Sequence, residues 1–191
     1  RVSLAYQDDP KGLGHAVGCG RAAVGDEPFA VLLPDELMGD SSLLDQMARV
    51  CERTGGSVVG LKPVPRAEVN RYGVIDPIGE VDADGVVAVR TMIEKPAVAD
   101  APSELIIIGR YVLTPDVFDE IDRLTPGAGG EIQLTDALRA QAAHSPFHGV
   151  VSRISRHDTG NPLGWLTAVV DIALADQRFG PDLRTWLNGR L

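Results

Sequence analysis

Phe29-Ala30-Val31-Leu32-Leu33-Pro34-Asp35 runs five apolar residues into a proline that stops strand pairing and then a carboxylate. A continuous apolar run predicts a strand buried on both faces, and a polar residue just past its carboxyl end stands where open α/β sheets bind ligands. Asp35 is therefore the first candidate site residue; the plainer reading makes it a cap or turn residue for a helix over residues 40–55. That helix would carry Leu43, Leu44, Met47, Val50 and Cys51 on one stripe, with Gly55 at its exit. Residues 57–61, Ser-Val-Val-Gly-Leu, read as the next buried strand. Upstream, residues 2–6 alternate like a strand and lead through residues 7–15 into a helix ending near Val24. Strand, helix, strand, helix, strand predicts an α/β sheet with parallel neighbours.

The 191 residues suffice for one domain with a substantial core, and 44% apolar with 24% charged residues is ordinary for a globular protein. No run approaches a membrane span and no signal pattern opens the chain, so a cytoplasmic protein is expected. A net charge of −9 argues against a nucleic-acid groove or an anionic membrane surface, because both need concentrated Lys and Arg. Cys19 and Cys51 fall on apolar helix faces without zinc spacing and read as reduced core residues. Of the 18 basic residues only Lys11, Lys62 and Lys95 are lysines, and two of these lie in stretches that matter below.

Gly12 and Gly14 let backbone amides approach a flat or anionic ligand, with the positive end of the following helix beside them. A strand-to-helix turn explains the same residues. Val17 stands where a dinucleotide fingerprint has its third glycine, and no Gly-Lys-Ser/Thr follows, which disfavours a nicotinamide-dependent dehydrogenase. Residues 72–76, 86–94 and 105–113 are strand-like with no helix between them, a mixed or antiparallel extension walling a pocket beside the parallel sheet. Glu94-Lys95-Pro96 puts opposite charges side by side at a strand end, where a surface ion pair is the plain reading.

Helices are expected over residues 115–124 and 131–143, and a last strand over 150–154. Asp158 follows that strand in a turn. Asn161 and Pro162 then start a helix whose Leu163, Leu166, Val169, Val170, Ala173 and Leu174 form a stripe expected to be buried. A terminal helix over 181–191 would pack through Leu183, Trp186 and Leu187.

Taken together, residues 7–15, 32–35, Tyr72-Gly73-Val74, Glu94-Lys95-Pro96, Gly109-Arg110-Tyr111, the 130–136 segment Gly-Glu-Ile-Gln-Leu-Thr-Asp and His157-Asp158-Thr159-Gly160-Asn161 resemble the bacterial UTP:glucose-1-phosphate uridylyltransferases, or UDP-glucose pyrophosphorylases. The resemblance spans essentially the whole chain. It implies a Rossmann-like nucleotidyltransferase fold of α/β class: a mixed, mainly parallel sheet flanked by helices, with a small β extension over the sugar site. The 130–136 and 11–15 segments favour this subgroup over the related thymidylyltransferases.

The resemblance further implies that Gln7 and the backbone at Gly12 bind uracil, that Gly73 and Glu94 contact glucose hydroxyls, and that Lys95 contacts the sugar phosphate. Tyr72 and the backbone near Ile107 would border the same site. Asp35 and Asp158 would hold one Mg²⁺, and with Lys95 they form the expected catalytic set. The implied partners are UTP, glucose 1-phosphate and UDP-glucose, in a homo-oligomer of two or four subunits. One departure stands out: the family's glycine-rich triphosphate loop, Gly-x-Gly-Thr-Arg, is absent from these residues. Residues 1–191 are therefore expected to form a single nucleotidyltransferase domain incomplete at its amino terminus, inactive alone and active once that part is supplied. The alternative is a sugar-nucleotide-binding module without catalysis.

Overall fold

The computed structural model describes residues 2–127 and 130–190 and divides into two compact units, residues 1–32 with 42–153, and residues 33–41 with 154–191. In chain order the first unit contains α1 (Leu13–Cys19), α2 (Arg21–Val24), β1 (Phe29–Leu32), α3 (Ser42–Thr54) and β3 (Ser57–Pro63). A 3-10 turn (Arg66–Arg71) leads to β4 (Gly73–Ile78), β5 (Val86–Glu94) and β6 (Leu105–Leu113), followed by α4 (Val117–Arg123), α5 (Leu134–Ala142) and β7 (Phe147–Val151). The second unit contains β2 (Glu36–Met38), β8 (Arg156–Asp158), α6 (Pro162–Ala175) and α7 (Gly180–Asn188).

The first unit is the expected α/β arrangement of helices on a mixed sheet, ordered β1-β6-β3-β7-β5-β4. Its balance differs from a mainly parallel one. Among the described residues only β3 and β7 run parallel, and every other pairing in this sheet is antiparallel. The reason lies in residues 72–113, which have no crossover helix and so must return antiparallel. The β4–β5 hairpin has the form of the anticipated extension, but it is hydrogen-bonded into the main sheet through β7 and β6.

Val58, Val59 and Leu61 of β3 and Ile106 and Ile108 of β6 are fully buried at the sheet centre. Against them pack Leu43, Met47, Val50 and Cys51 of α3, so the anticipated stripe is real apart from a half-buried Leu44. Val117, Phe118 and Ile121 of α4 and Leu134, Ala137 and Leu138 of α5 complete the core. Burial pushes the Cys51 thiol above its ordinary pKa, as an inert core cysteine requires; Cys19 is only half-buried.

Several boundaries move. Residues 2–6 form no strand, and Val2, Leu4 and Tyr6 are exposed. The 29–35 run is not a strand buried on both faces: β1 is an edge strand paired only with β6 among the described residues, with Ala30 and Leu32 facing out. The α5 helix starts at Leu134 instead of residue 131, because Ile132 is drawn into backbone pairing with residues 11–14. Strand β7 begins at Phe147, three residues before the expected start.

The second unit holds two short strands that the sequence pattern missed, β2 and β8, paired antiparallel with Glu36 opposite Asp158. Asn161 caps α6 as expected, accepting a hydrogen bond from the Gly164 N–H at 2.9 Å, with Pro162 in the first turn. The α6 stripe is not buried. Leu163, Leu166, Val169 and Val170 are exposed together with Trp165 and Ile172, and only Ala168 is fully covered. In α7 Leu183 and Leu187 are half-buried while Trp186 is exposed.

Asp116 shows how the first unit holds its polar core. Burial pushes its carboxyl pKa up, yet hydrogen bonds from Thr114, Ser145 and the buried Gln141 outweigh this and hold it below the ordinary value. A carboxylate depressed on folding stabilises fully above its unfolded pKa, about 3.9, and the contribution disappears as pH falls through the folded value. Urea melts of wild type and Asp116→Asn should therefore differ most above about pH 4 and converge in stronger acid. A pH-independent gap would place the effect elsewhere.

Candidate functional site

In the first unit, three sequence-predicted residues come together at one end of the β4–β5 hairpin. Gly73 opens β4 and sits directly opposite Glu94, the last residue of β5. A Cβ on Gly73 would lie 3.2 Å from Glu94 Oε2, 3.3 Å from Thr135 Oγ1 and 3.4 Å from Ile107 Cδ1, so glycine leaves a small recess walled by a carboxylate and a hydroxyl. Thr135 donates to Glu94 Oε2 at 2.7 Å and fixes the orientation of that carboxylate.

Lys95, next in the chain, is the one non-glycine residue with positive φ among the described residues, at 44°. Such a backbone is uncommon, and the following Pro96 further restricts its neighbour. The conformation is held by the Lys95 N–H, which donates to Tyr72 O at 3.0 Å. The ammonium stays largely exposed, 3.7 Å from Glu94 Oε1. Strain of this kind collects at ligand sites.

The amino-terminal loop closes on the segment just before α5. Ile132 N–H donates to Lys11 O at 2.6 Å, and Gly14 N–H donates to Ile132 O at 2.9 Å. Gly12, with φ at 94°, leaves no room for a side chain: a Cβ would lie 2.8 Å from Ile132 O. Gln7 Nε2 donates to Gly12 O at 3.2 Å and lies 2.8 Å from His15 Nδ1, so the amide is anchored at the loop mouth. Residues 131–135 thus tie the glycine loop at one end to the Glu94 recess at the other.

In the second unit Asp35 and Asp158 do converge. Thr159 donates to Asp35 O through its N–H at 2.8 Å and its hydroxyl at 2.9 Å, while the Gly160 N–H donates to Asp158 Oδ1 at 3.0 Å. A Cβ on Gly160 would stand 3.1 Å from Asp35 Oδ2 and 3.2 Å from Asp158 Oδ1, so both carboxylates face one small space that glycine keeps open. Arg156 lies 3.7 Å from the other oxygen of Asp158, but its fork is engaged by Glu36.

Two carboxylates facing one point repel, and a hard cation relieves that repulsion. Among the described residues no group of three or more His, Cys, Asp or Glu side chains is placed to hold a metal ion. A pair of carboxylates suits Mg²⁺, which binds through one or two of them and fills its shell with phosphate oxygens and water.

Thr135, Thr159 and Gly160 had no assigned role in the sequence reading, although all three stand inside the quoted motifs. No spacing rule joins Thr135 to Glu94, 41 residues away. A glycine two residues after a candidate metal carboxylate was the available signal for Gly160.

The family model described as nucleotidyl transferase matches residues 1–174. The chain belongs to that family. Among relatives, it is 46% identical to a UTP–glucose-1-phosphate uridylyltransferase of Pseudomonas aeruginosa over 171 residues, covering 87% of this chain and 61% of the relative. It is 40% identical to the protein of the same name from Bacillus subtilis over 191 residues, covering 100% of this chain and 65% of the relative. A crystal structure of UDP-glucose pyrophosphorylase complexed with UDP-glucose superposes with TM-score 0.79 at 41% identity, over 85% of this chain and 62% of that one. UTP-bound UDP-glucose pyrophosphorylase from Acinetobacter baumannii gives TM-score 0.84 at 33% identity, over 94% and 62%. This nucleotidyl transferase chain therefore spans less than two thirds of the length of those relatives. The comparisons agree with the resemblance carried by the motifs.

Proposed function

We propose that the chain serves uridylyl transfer from UTP to glucose 1-phosphate, giving UDP-glucose and pyrophosphate. The observation that carries the reading is the Gly73–Glu94–Thr135 recess with Lys95 held beside it in a left-handed backbone. A carboxylate fixed by a threonine hydroxyl accepts hydrogen bonds from sugar hydroxyls, and the absent Cβ at Gly73 lets a ring approach. Lys95, one residue on, supplies a cation to the phosphate on C1. Gln7 at the mouth of the glycine loop directs both amide N–H groups at Gly12 O and His15 Nδ1 and offers its carbonyl oxygen as an acceptor to the N–H of a pyrimidine edge.

In the reaction a phosphate oxygen of glucose 1-phosphate attacks the α-phosphorus of UTP, and the bond to the bridging oxygen of the leaving pyrophosphate breaks. The attacking group is already ionised, so no general base is needed; orientation and charge neutralisation carry the rate. Asp35 and Asp158 would hold Mg²⁺, which when bound offsets the charge of the phosphates that must meet. Glu94 and Thr135 orient the sugar, and Lys95 steadies its phosphate.

No helix among the described residues is long and apolar enough to cross a membrane. A cytoplasmic enzyme is part of the proposal, as is a homo-oligomer, for which the exposed apolar residues of α6 give support.

The test is calorimetric. UDP-glucose should bind the purified chain at least tenfold tighter than dTDP-glucose or ADP-glucose, and Gln7→Ala should weaken UDP-glucose binding by about 1–3 kcal/mol while leaving glucose 1-phosphate binding unchanged. Equal affinity for the three nucleotides, or a loss confined to glucose 1-phosphate, would overturn the reading.

A further inference from the structure

Away from these residues, α3 and the turn between β4 and β5 enclose a groove of about 440 Å³ lined by Gln46, Arg49, Val50, Arg53, Asp84, Val86 and Arg153. Three guanidinium groups in one groove are out of proportion for a chain of net charge −9. Arg49 and Arg53 are four residues apart on α3 and so project from successive turns of one face. Arg153 reaches the same groove from beyond β7, its Nη2 donating to Ala83 O at 2.9 Å.

Among the described residues no ion pair engages this cluster. Neither Arg49 nor Arg53 forms an ion pair or hydrogen bond there, and Asp84, the one carboxylate in the lining, pairs with none of the three. The unbalanced charge is felt nearby: burial and then the positive Arg53 hold the His148 pKa below its ordinary value. The groove wall is also preformed. Asp82 Oδ1 accepts from the Asp84 and Val86 N–H groups at 2.9 and 2.8 Å, and Gln46 Nε2 donates to Asp84 O at 2.6 Å, pinning the turn to α3.

We propose that the Arg49–Arg53–Arg153 groove is a second anion site that binds a small phosphate-bearing polyanion. Guanidinium forks match phosphate oxygens in pairs, and three of them satisfy a diphosphate better than a single point charge would. The volume suits a diphosphate or a small phosphorylated metabolite and excludes a polymer. The site is independent of the uridylyl-transfer reading, since none of its residues belongs to the glycine loop, the Glu94 recess or the aspartate pair.

Inorganic pyrophosphate is the probe, titrated calorimetrically into the full 191-residue chain in EDTA, with sodium chloride at matched ionic strength as the control. Wild type should bind, the Arg49→Gln/Arg53→Gln chain should bind at least about tenfold more weakly, and Lys95→Gln should bind as wild type does. Thermal melts establish that the exposed arginine replacements leave the fold intact, and Arg153→Gln provides an independent second variant expected to show the same loss. Undiminished binding in both arginine variants, a loss seen only with Lys95→Gln, or no binding beyond the chloride control would each overturn the proposal.

Discussion

Replacing Asp35 or Asp158 by alanine should remove the metal dependence of nucleotide binding while leaving the chain folded. The two carboxylate oxygens meet across Gly160, 3.1 and 3.2 Å from the point where its Cβ would stand, and among the described residues no other acidic group completes a cluster of three there. On the proposed pair of ligands, loss of either leaves a single carboxylate to hold the cation. Losing a supporting partner of a metal ligand typically costs about 10–100-fold in affinity, so loss of the ligand itself should cost at least about 100-fold. Neither side chain belongs to the core: Asp35 is exposed and Asp158 half-buried, so circular dichroism and melting temperature should barely change. The measurement is Mn²⁺ binding by electron paramagnetic resonance, with UDP-glucose present and absent. Wild-type Mn²⁺ affinity in both alanine variants would remove the metal assignment and leave the fold, the Glu94 recess and the glycine loop untouched.

That pair of aspartates also marks how much of the site is legible in the amino-acid sequence alone. Each was picked out as a carboxylate expected just past a strand, and the structure brings them together. It does so by strands that are three residues long, too short to leave an alternating pattern: β2 and β8 align Glu36 with Asp158, and Asp35 O then accepts twice from Thr159. The strands of the 72–113 stretch were legible because nine-residue apolar runs bounded by turns leave little else for the chain to do. Their direction was not, since parallel or antiparallel pairing depends on which strand lies beside which, and β6 inserts between β1 and β3. The α6 stripe was correctly placed on one helix, but periodicity reports which side is apolar and not whether another element covers it.

The Glu94 recess illustrates the same limit from the side of function. Adjacency alone read Glu94 and Lys95 as a surface ion pair, the resemblance supplied their roles and that of Gly73, and the link that orients Glu94, Thr135, comes from a helix 41 residues later. Long-range contacts of that kind are set by the register of β4 against β5 and by where α5 starts, which the pairing of Ile132 with Lys11 and Gly14 delays to Leu134. Motif order therefore carried the family, while the contacts that make a site of the motifs needed the fold.

Phe118→Ala should destabilise the chain by about 3–5 kcal/mol, the usual cost of deleting a buried phenyl ring. Phe118 is 1% exposed and stacks on Phe29 with centroids 5.0 Å apart and planes 3° from parallel. The Arg21 guanidinium lies 5.6 Å over the same ring and is itself held by Asp119 at 2.6 Å and Asp122 at 2.5 Å. These contacts matter beyond their area because Phe29 begins β1, an edge strand with β6 as its one partner among the described residues. With half its backbone groups outside the ladder, β1 depends on the stacked pair to hold it against the sheet. The loss should therefore be uneven. Urea melts should show the drop in stability, and amide exchange over residues 29–32 should accelerate more than over β3, which is paired on both sides. Phe118→Leu, which keeps most of the volume and loses the aromatic stack, should fall between. A destabilisation below about 1.5 kcal/mol, the range of volume-conserving swaps, or equal acceleration in β1 and β3, would show that the edge strand is held by β6 alone.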